Sequence, residues 1–201
     1  MACGLLCLVW ADLKAPWSEV VLVTDACETG FGVCESTWTA LQSAEVGGDD
    51  ERWRFRRMQH GGHRRRALRA AGLGDMWDPG PGPEAWVEDL SFSDVPHSLL
   101  DESLWHVRFA APYTDAEAIH VKEARGTAAA VRHIARCGRS AGRRHLILGD
   151  NMSVALAHQK VRCGDHKLLR VCPRVAATCL VGDLQVWLRW VPSELNPGDR
   201  S

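Results

Sequence analysis

Four acidic residues stand where predicted secondary structure elements begin or end. Asp25 follows the apolar run "VVLVT", and Asp150 follows the run "HLILG". Glu123 is predicted in the first turn of a long helix, and Asp199 in the first turn of a helix that opens at "NP". Carboxylates in such positions can bind a hard divalent cation or act as general acids and bases. The chemistry therefore depends on whether the fold brings them together.

Each of these carboxylates also has a structural explanation. Asp25 could begin the turn that follows it. Asp150 and Asn151 could cap the next helix, and Asp199 could interact with a helix dipole, which are the commoner roles for such residues taken singly. Glu123 could be an exposed helix residue. The coincidence of four carboxylates at one predicted edge favours a joint role over four separate ones.

The elements that must position these residues are predicted from two blocks of regular apolar periodicity. The predicted strands span residues 20–24, 30–35, 104–110, 145–148 and 184–191. The predicted helices span residues 118–137, 151–160 and 167–180, with a last one opening at Asn196. Pro173 should kink or break the third of these helices, because it removes a backbone hydrogen bond.

Three meandering strands followed by crossover connections predict an α/β fold. We expect a five-stranded mixed sheet, with three antiparallel strands and then two parallel ones, flanked by helices. The carboxyl ends of adjacent parallel strands meet at one edge, where Asp25 and Asp150 would lie side by side. The two helix starts would add Glu123 and Asp199. Four converging carboxylates would repel one another, so the pattern favours Mg²⁺ held between them.

The segment between the two periodic blocks has a different texture. It is dense in Gly, Pro and Asp, as in "GLGDMWDPGPGPE", which predicts loops and short helices rather than strands. We therefore divide the chain into an N-terminal extension (1–17) and one domain (18–201) with an insertion at about 39–103. Residues 51–69 of the insertion carry eight arginines with interleaved Trp53 and Phe55. Such a segment could contact nucleic acid, although nearby acidic stretches favour a solvated loop.

The composition limits the class of protein. The chain has 201 residues, 46% hydrophobic and 24% charged, with a net charge of −1, as in globular domains. The eight cysteines form no C-x-x-C pair, which argues against a zinc ribbon and predicts reduced thiols in an intracellular protein. The first residues form no basic-then-apolar signal and no segment long enough to cross a membrane. We expect no membrane association.

Four motifs together resemble a known family. In chain order they are "VTDACETGFGV", "IHVKEARGTAAAVRHIA", "HLILGDNMSVALA" and "WVPSELNPGDRS". Each is similar to one of the four motifs of the ribonuclease H domain of retroelement reverse transcriptases. The similarity covers residues 18–38 and 104–201, more than half of the chain. It implies a ribonuclease H-like fold.

The resemblance also implies an activity. The expected reaction is endonucleolytic hydrolysis of the RNA strand of an RNA–DNA hybrid, with two Mg²⁺ ions that Mn²⁺ could replace. The implied catalytic residues, which are also the implied metal ligands, are Asp25, Glu123, Asp150 and Asp199. Asp25 would contact both ions, Glu123 and Asp150 one, and Asp199 the other. Substrate contacts are implied for Ala26, Asn151 and Asn196.

The sequence departs from the family pattern near its end. The loop "PSELN" holds no histidine, and Gly198 stands where a small alanine is typical. Only two residues follow Asp199, so we expect a fragment or decayed copy of a polyprotein, with a linked reverse transcriptase domain as its original partner. Two alternatives stay open: an inactive remnant that keeps only the fold or nucleic-acid binding, and an integrase-like strand transferase. The oligomeric state is not indicated.

Overall fold

A computed structural model describes residues 12, 14–57, 86–113 and 116–199. The strands in this part of the chain are β1 (Val20–Ala26), β2 (Gly30–Thr37), β3 (Phe55–Arg57), β4 (Trp86–Glu88), β5 (His106–Pro112), β6 (Arg143–Gly149) and β7 (Leu184–Trp190). The α-helices are α1 (Ala40–Gly47), α2 (Ile119–Arg136), α3 (Met152–Lys160) and α4 (His166–Gly182). None of these helices combines the length and hydrophobicity of a membrane span.

The main sheet has the strand order β5-β2-β1-β6-β7. β1 pairs antiparallel with β2, and β2 antiparallel with β5. On the other side of β1, the pairs β1–β6 and β6–β7 are parallel. The predicted ribonuclease H-like sheet of three antiparallel and two parallel strands is thereby confirmed.

The central strands are buried on both faces, as the continuous apolar run of β1 predicts. Because successive side chains of a strand point to opposite faces, Leu22 packs with Ile147 towards α2, α3 and α4. Val21 and Val23 pack on the opposite face. That second face is covered by side chains from chain segments before residue 53 and after residue 92. Val46 of α1 is one of them.

The remaining cover of the second face comes from residues within, or directly next to, the segment that the sequence presents as irregular. Trp38 precedes α1, while Val95, Leu100 and Trp105 belong to the segment before β5, and all are less than 10% exposed. Trp38 and Trp105 meet edge to face, with ring centroids 6.0 Å apart. The sequence analysis missed this half of the core, since no periodicity marks residues that reach the sheet from short turns.

The chain divides into two compact units. One contains the main sheet and comprises residues 1–52 and 93–201, and the other comprises residues 53–92. In the smaller unit β3 and β4 pair antiparallel, which corrects the prediction of an insertion without strands. The Arg54 guanidinium lies 3.3 Å from the Glu88 carboxylate and 4.6 Å from the centre of the Phe92 ring. Residues 58–85, which include most of the basic segment, lie outside the described residues.

Pro173 does not break α4, contrary to the sequence prediction. It lies within a continuous helix and is exposed. The carbonyl of Leu169, four residues earlier, loses its helical donor but lies on a half-exposed residue that water can reach. Burial of residues on the opposite face, such as Leu168 and Val175, holds the helix against the sheet. The Asp165 side chain also accepts hydrogen bonds from two backbone amides of the first turn.

Candidate active site at the carboxyl edge of the sheet

The parallel pairing of β1 with β6 places Asp25 and Asp150 next to each other. Thr24 is in register with Gly149, so the residues that follow them, Asp25 and Asp150, lie at the same edge of the sheet. Asp25 is the penultimate residue of β1, and Asp150 follows β6 directly. Both side chains are half-buried. This juxtaposition is the one predicted from the sequence.

Glu123 reaches the same edge from α2. The helix begins at Ile119, so Glu123 lies in its second turn rather than in the predicted first turn. Its side chain is only 5% exposed, and Oε1 accepts a hydrogen bond from the backbone N–H of Ala26 at 3.2 Å. The hydrogen bond orients the carboxylate towards the end of β1, because Ala26 is the residue after Asp25.

Three of the four predicted carboxylates converge. Asp25, Glu123 and Asp150 each offer one carboxylate oxygen, and these oxygens all lie within 4.8 Å of one another. We call these residues the carboxylate triad. Asp199 is exposed, lies in a turn over residues 197–199, and stands outside the triad. The helix predicted to begin at Asn196 is therefore absent up to residue 199, and residues 200–201 lie outside the described residues.

The electrostatics of the triad are those of uncompensated like charges. Burial, together with the neighbouring charges of Asp150 and Asp25, raises the pKa of Glu123 to about 8. Burial, Asp150 and Asp199 raise the pKa of Asp25 to about 6. No Lys, Arg or His of the described residues forms an ion pair with the triad. A set of hard oxygen donors that lacks a counter-charge is suited to a divalent cation.

The loop after β7 holds Asp25 in place. Asn196 is buried, and its Nδ2 donates to Asp25 Oδ1 at 3.0 Å, while its Oδ1 accepts from the backbone N–H of Gly198 at 3.0 Å. A Cβ atom at Gly198 would lie 2.8 Å from the Cβ of Asp25, which is closer than real side chains approach. The glycine is thus required by close packing, which the comparison with a typical alanine at this position did not indicate.

The three predicted substrate-contacting residues have internal partners in the structure. Ala26 uses its backbone N–H on Glu123. Asn151 caps α3, because its Oδ1 accepts from the backbone N–H of Val154 at 3.2 Å. Asn196 orients Asp25, as described above. Contacts of these residues with a substrate stay predictions.

Asp150 has two hydrogen-bond partners that the sequence did not indicate. The hydroxyl group of Ser193 donates to its Oδ2. The indole N–H of Trp190 donates to its backbone carbonyl at 2.7 Å. Both partners come from the end of β7 and the turn that follows it. In the sequence, these two residues are marked only by their position at, or just after, the end of the strand that pairs with β6.

A cavity of about 310 Å³ opens beside Asp25. Its walls come from the turn between β1 and β2 and from the paired strands β2 and β5, and they include Cys27, Thr29, Phe31 and Pro112. Gly30 belongs to this wall, where a Cβ atom would lie 2.9 Å from the carbonyl oxygen of Ala111. The cavity gives a ligand access to the side of the triad that Asp25 occupies.

Comparison with known proteins gives one fold similarity. No protein-family model and no curated protein sequence matches this chain. The chain is similar to a solved ribonuclease H domain. That domain is the N-terminal RNase H domain of Rv2228c from Mycobacterium tuberculosis, solved as a fusion with maltose-binding protein. The TM-score is 0.44 at 14% identity, covering 90% of this chain and 93% of that chain. The fold is assigned from the strand order described above, and the proposed reaction depends on the carboxylate triad.

Proposed function

We propose that this protein is a metal-dependent endonuclease that hydrolyses the RNA strand of an RNA–DNA hybrid. The observation that carries the proposal is the carboxylate triad. Its oxygens lie within 4.8 Å of one another, without an opposing charge in the described residues, at the carboxyl edge of a mixed sheet. The four ordered motifs support the choice of substrate.

The donor set fits the cation that the proposal requires. Asp25, Glu123 and Asp150 would hold Mg²⁺, Asp199 is the further predicted ligand, and Mn²⁺ would substitute. A bound divalent cation would stabilise phosphoryl oxygens as a Lewis acid and would lower the pKa of water, and two such ions together would stabilise the attacking and leaving oxygens of an in-line displacement. Cation binding also favours the ionised carboxylates, whereas burial and the charges of Asp150 and Asp25 raise the pKa of Glu123 to about 8 in the protein alone.

The protein's own groups hold these oxygens before a substrate arrives. Asn196 donates to Asp25, the backbone N–H of Ala26 donates to Glu123, and Ser193 donates to Asp150. Carboxylates fixed by such partners need little reorganisation during reaction, which is the main requirement for electrostatic catalysis. The backbone around the cavity beside Asp25 would contact the RNA strand and read its shape and 2′-hydroxyls rather than its bases.

The proposal includes an origin and a setting. We propose a retroelement source with a reverse transcriptase domain as its original linked partner, because all four motifs occur in the order of that family. An intracellular location is proposed from cysteine usage. Cys27, Cys34, Cys137, Cys163, Cys172 and Cys179 are free thiols in the structure.

The test is hydrolysis of a hybrid labelled on either strand, in the presence of Mg²⁺. We expect the wild-type protein to cut only the RNA strand, Asp25→Asn to be inert, and Mn²⁺ to replace Mg²⁺. Glu45→Gln, which removes one exposed carboxylate from α1, should behave as the wild type. A wild-type protein that cuts nothing at high concentration with either cation would show that the chain is an inactive remnant.

One observation favours a second candidate function. Only three carboxylates converge, and an integrase-like strand transferase would need three acidic residues and a DNA end. The same assay distinguishes the two activities if duplex DNA with a free end is included. Strand transfer into DNA without hydrolysis of the hybrid would support the second candidate.

A further inference from the structure

Two cavities near α2 and α4 are lined by arginines and by no acidic residue. The first, of about 180 Å³, has Arg125, Arg132 and Arg174 in its wall. The second, of about 470 Å³, has Arg108, Arg132 and Arg136 in its wall. We call these five residues the arginine surface. Their side chains come from β5, α2 and α4, so the fold rather than a local sequence motif assembles them.

Most of this positive charge has no local counter-charge. Arg132, Arg136 and Arg174 are exposed, and none of the three forms an ion pair with the described residues. Arg125 and Arg108 are the exceptions. Arg125 Nε lies 2.6 Å from a carboxylate oxygen of Glu117, and Arg108 Nε lies 3.6 Å from one of Glu35. The whole chain has a net charge of −1, so the arginine surface is a local concentration of positive charge. Such a concentration attracts polyanions.

The arginine surface adjoins the cavity beside Asp25. Phe31 lines both that cavity and the first arginine cavity, and Arg132 lines both arginine cavities. Neighbouring cavities therefore share a wall residue.

The spacing along α2 gives the distance between the arginine surface and the carboxylate triad. Arg132 lies nine residues after Glu123 on the same helix, which is about 14 Å, and Arg136 lies about 20 Å away. A nucleic-acid strand advances about 3.4 Å per nucleotide along its axis, so these distances correspond to about four to six nucleotides. Guanidinium groups bind phosphate oxygens in a bidentate manner and suit a backbone at this separation.

We propose that the arginine surface binds the phosphate backbone of the nucleic acid whose strand lies at the triad, about four to six nucleotides from that point. This inference rests on the proposed function for its ligand. The arginines would set the position and orientation of the duplex without reading its sequence. They would act on binding rather than on the hydrolytic step.

The first test measures binding of a long fluorescent RNA–DNA hybrid by anisotropy in EDTA, where no hydrolysis occurs. Arg132→Glu should weaken binding about tenfold and reduce the slope of log affinity against log salt by about one. Arg174→Glu should have the same sign of effect. Lys14→Glu is the matched control, because it reverses an exposed charge on a residue that lines none of the three cavities.

Two outcomes would overturn the inference. The first is that both arginine variants bind the hybrid with unchanged affinity and salt slope. The second is that Lys14→Glu weakens binding as much as the arginine variants do, which would show a response to net charge only. Circular dichroism and urea unfolding of each variant exclude misfolding as the cause. Arg132→Gln, which removes the charge without reversing it, should give an intermediate affinity.

A second measurement distinguishes failure of the inference from failure of the proposed function. If the protein hydrolyses the hybrid, Arg132→Glu should raise KM and leave kcat unchanged. If the protein binds the hybrid through Arg132 but hydrolyses nothing, the inference stands and the proposed function fails. Hydrolysis with KM and affinity unaffected by Arg132→Glu would reject the inference alone.

Discussion

Two groups of buried charge lie at neighbouring strand ends and have opposite environments. The first is the carboxylate triad, in which Asp25, Glu123 and Asp150 face one another and form no ion pair with a cationic side chain among the described residues. The second is the pair of Glu51 and Arg189, which are 0% and 1% exposed. Arg189 Nε donates to Glu51 Oε1 at 2.8 Å. One group is all acidic, and the other is neutral as a pair.

The difference indicates which group is structural. Arg189 also donates to the backbone carbonyls of Val46 and Ser93, and the backbone N–H of Trp190 donates to Glu51 at 3.0 Å. These bonds satisfy the buried charges within the protein and join β7 to the segments that follow α1 and precede β5. Within the part of the chain that the structure describes, the triad has no comparable compensation, which supports the proposed cation site. Substitutions in the two groups should therefore have opposite effects on activity and stability.

The largest expected effect is on activity. Asp150→Asn should reduce hydrolysis of the hybrid at least about a thousandfold, because one cation ligand is lost. The same change should not lower the free energy of unfolding, since it removes a repelling charge. Rates and urea unfolding curves measured on one preparation test both parts. A stability loss with normal activity would assign Asp150 to the structural group.

The next effect is on stability. Arg189→Met should lower the free energy of unfolding by about 3–5 kcal/mol, because it leaves Glu51 buried without its partner. Adding Glu51→Gln should recover part of that loss. The control is Arg52→Gln, which removes an exposed ion pair of 2.6 Å with Asp50 and should cost less than about 1 kcal/mol. Equal losses at the two sites in urea unfolding would contradict the contrast.

The triad should also make stability depend on pH. Glu123 has a pKa of about 8 in the folded protein against an ordinary value of 4.5. The folded protein holds this proton more tightly, so its contribution to stability is complete below pH 4.5 and lost as the pH rises through about 8. Glu123→Gln should remove this dependence and stabilise the protein above that range by on the order of 1–3 kcal/mol.

Urea unfolding in EDTA over a pH series measures this effect. Mg²⁺ should diminish the wild-type loss of stability at high pH, because a cation that binds only the folded protein stabilises it. Identical pH profiles for the wild type and Glu123→Gln would show that the triad carries no excess repulsion.

A smaller effect is expected where the loop after β7 contacts Asp25. Gly198→Ala should reduce activity about tenfold, because a new Cβ atom would lie 2.8 Å from the Cβ of Asp25 and displace it. Gly138→Ala is the control, since a Cβ atom there meets nothing within 4 Å. Steady-state rates of the two variants give the comparison, and unchanged activity in Gly198→Ala would show that the contact relaxes without moving the carboxylate.

The smallest effect concerns the cap of α3. Asn151→Ala should cost about 1 kcal/mol of stability, and Asn151→Ser, which keeps a capping oxygen, should cost less. Thermal or urea unfolding measures both. The predicted substrate contact of Asn151 is tested by the serine variant, which keeps the cap but loses the amide. A marked loss of activity in that variant would favour the contact.

The sequence predicted the sheet well because its strands have a simple signature. The apolar runs before Asp25 and Asp150 identify buried strands, and their order with the intervening helix determines which ends meet. The predicted start of α2 was one residue early, and Glu123 lies in the second turn of the helix rather than in the first. Helix ends depend on local capping, and the N-cap Ala118 has no side-chain hydrogen bond that a sequence pattern could reveal.

Other features could not be inferred from local patterns. Pro173 was expected to disrupt α4, but burial of the opposite helix face outweighs one missing hydrogen bond. Glu51 and Arg189 are separated by more than a hundred residues, and nothing at either position indicates its partner. The need for glycine at position 198 is also a matter of distance, because it depends on how closely the loop approaches β1.

The sequence by itself determined the five strands of the main sheet, their order along the chain and the acidic residues that emerge at one edge of that sheet. Those properties follow from periodicity and from the direction of consecutive elements, which are local. Only the tertiary structure decided that oxygens of three carboxylates lie within 4.8 Å of one another while Asp199 lies outside that group. It also decided that five arginines from β5, α2 and α4 line adjoining cavities. Distances between residues remote in the chain arise from packing, which periodicity does not encode.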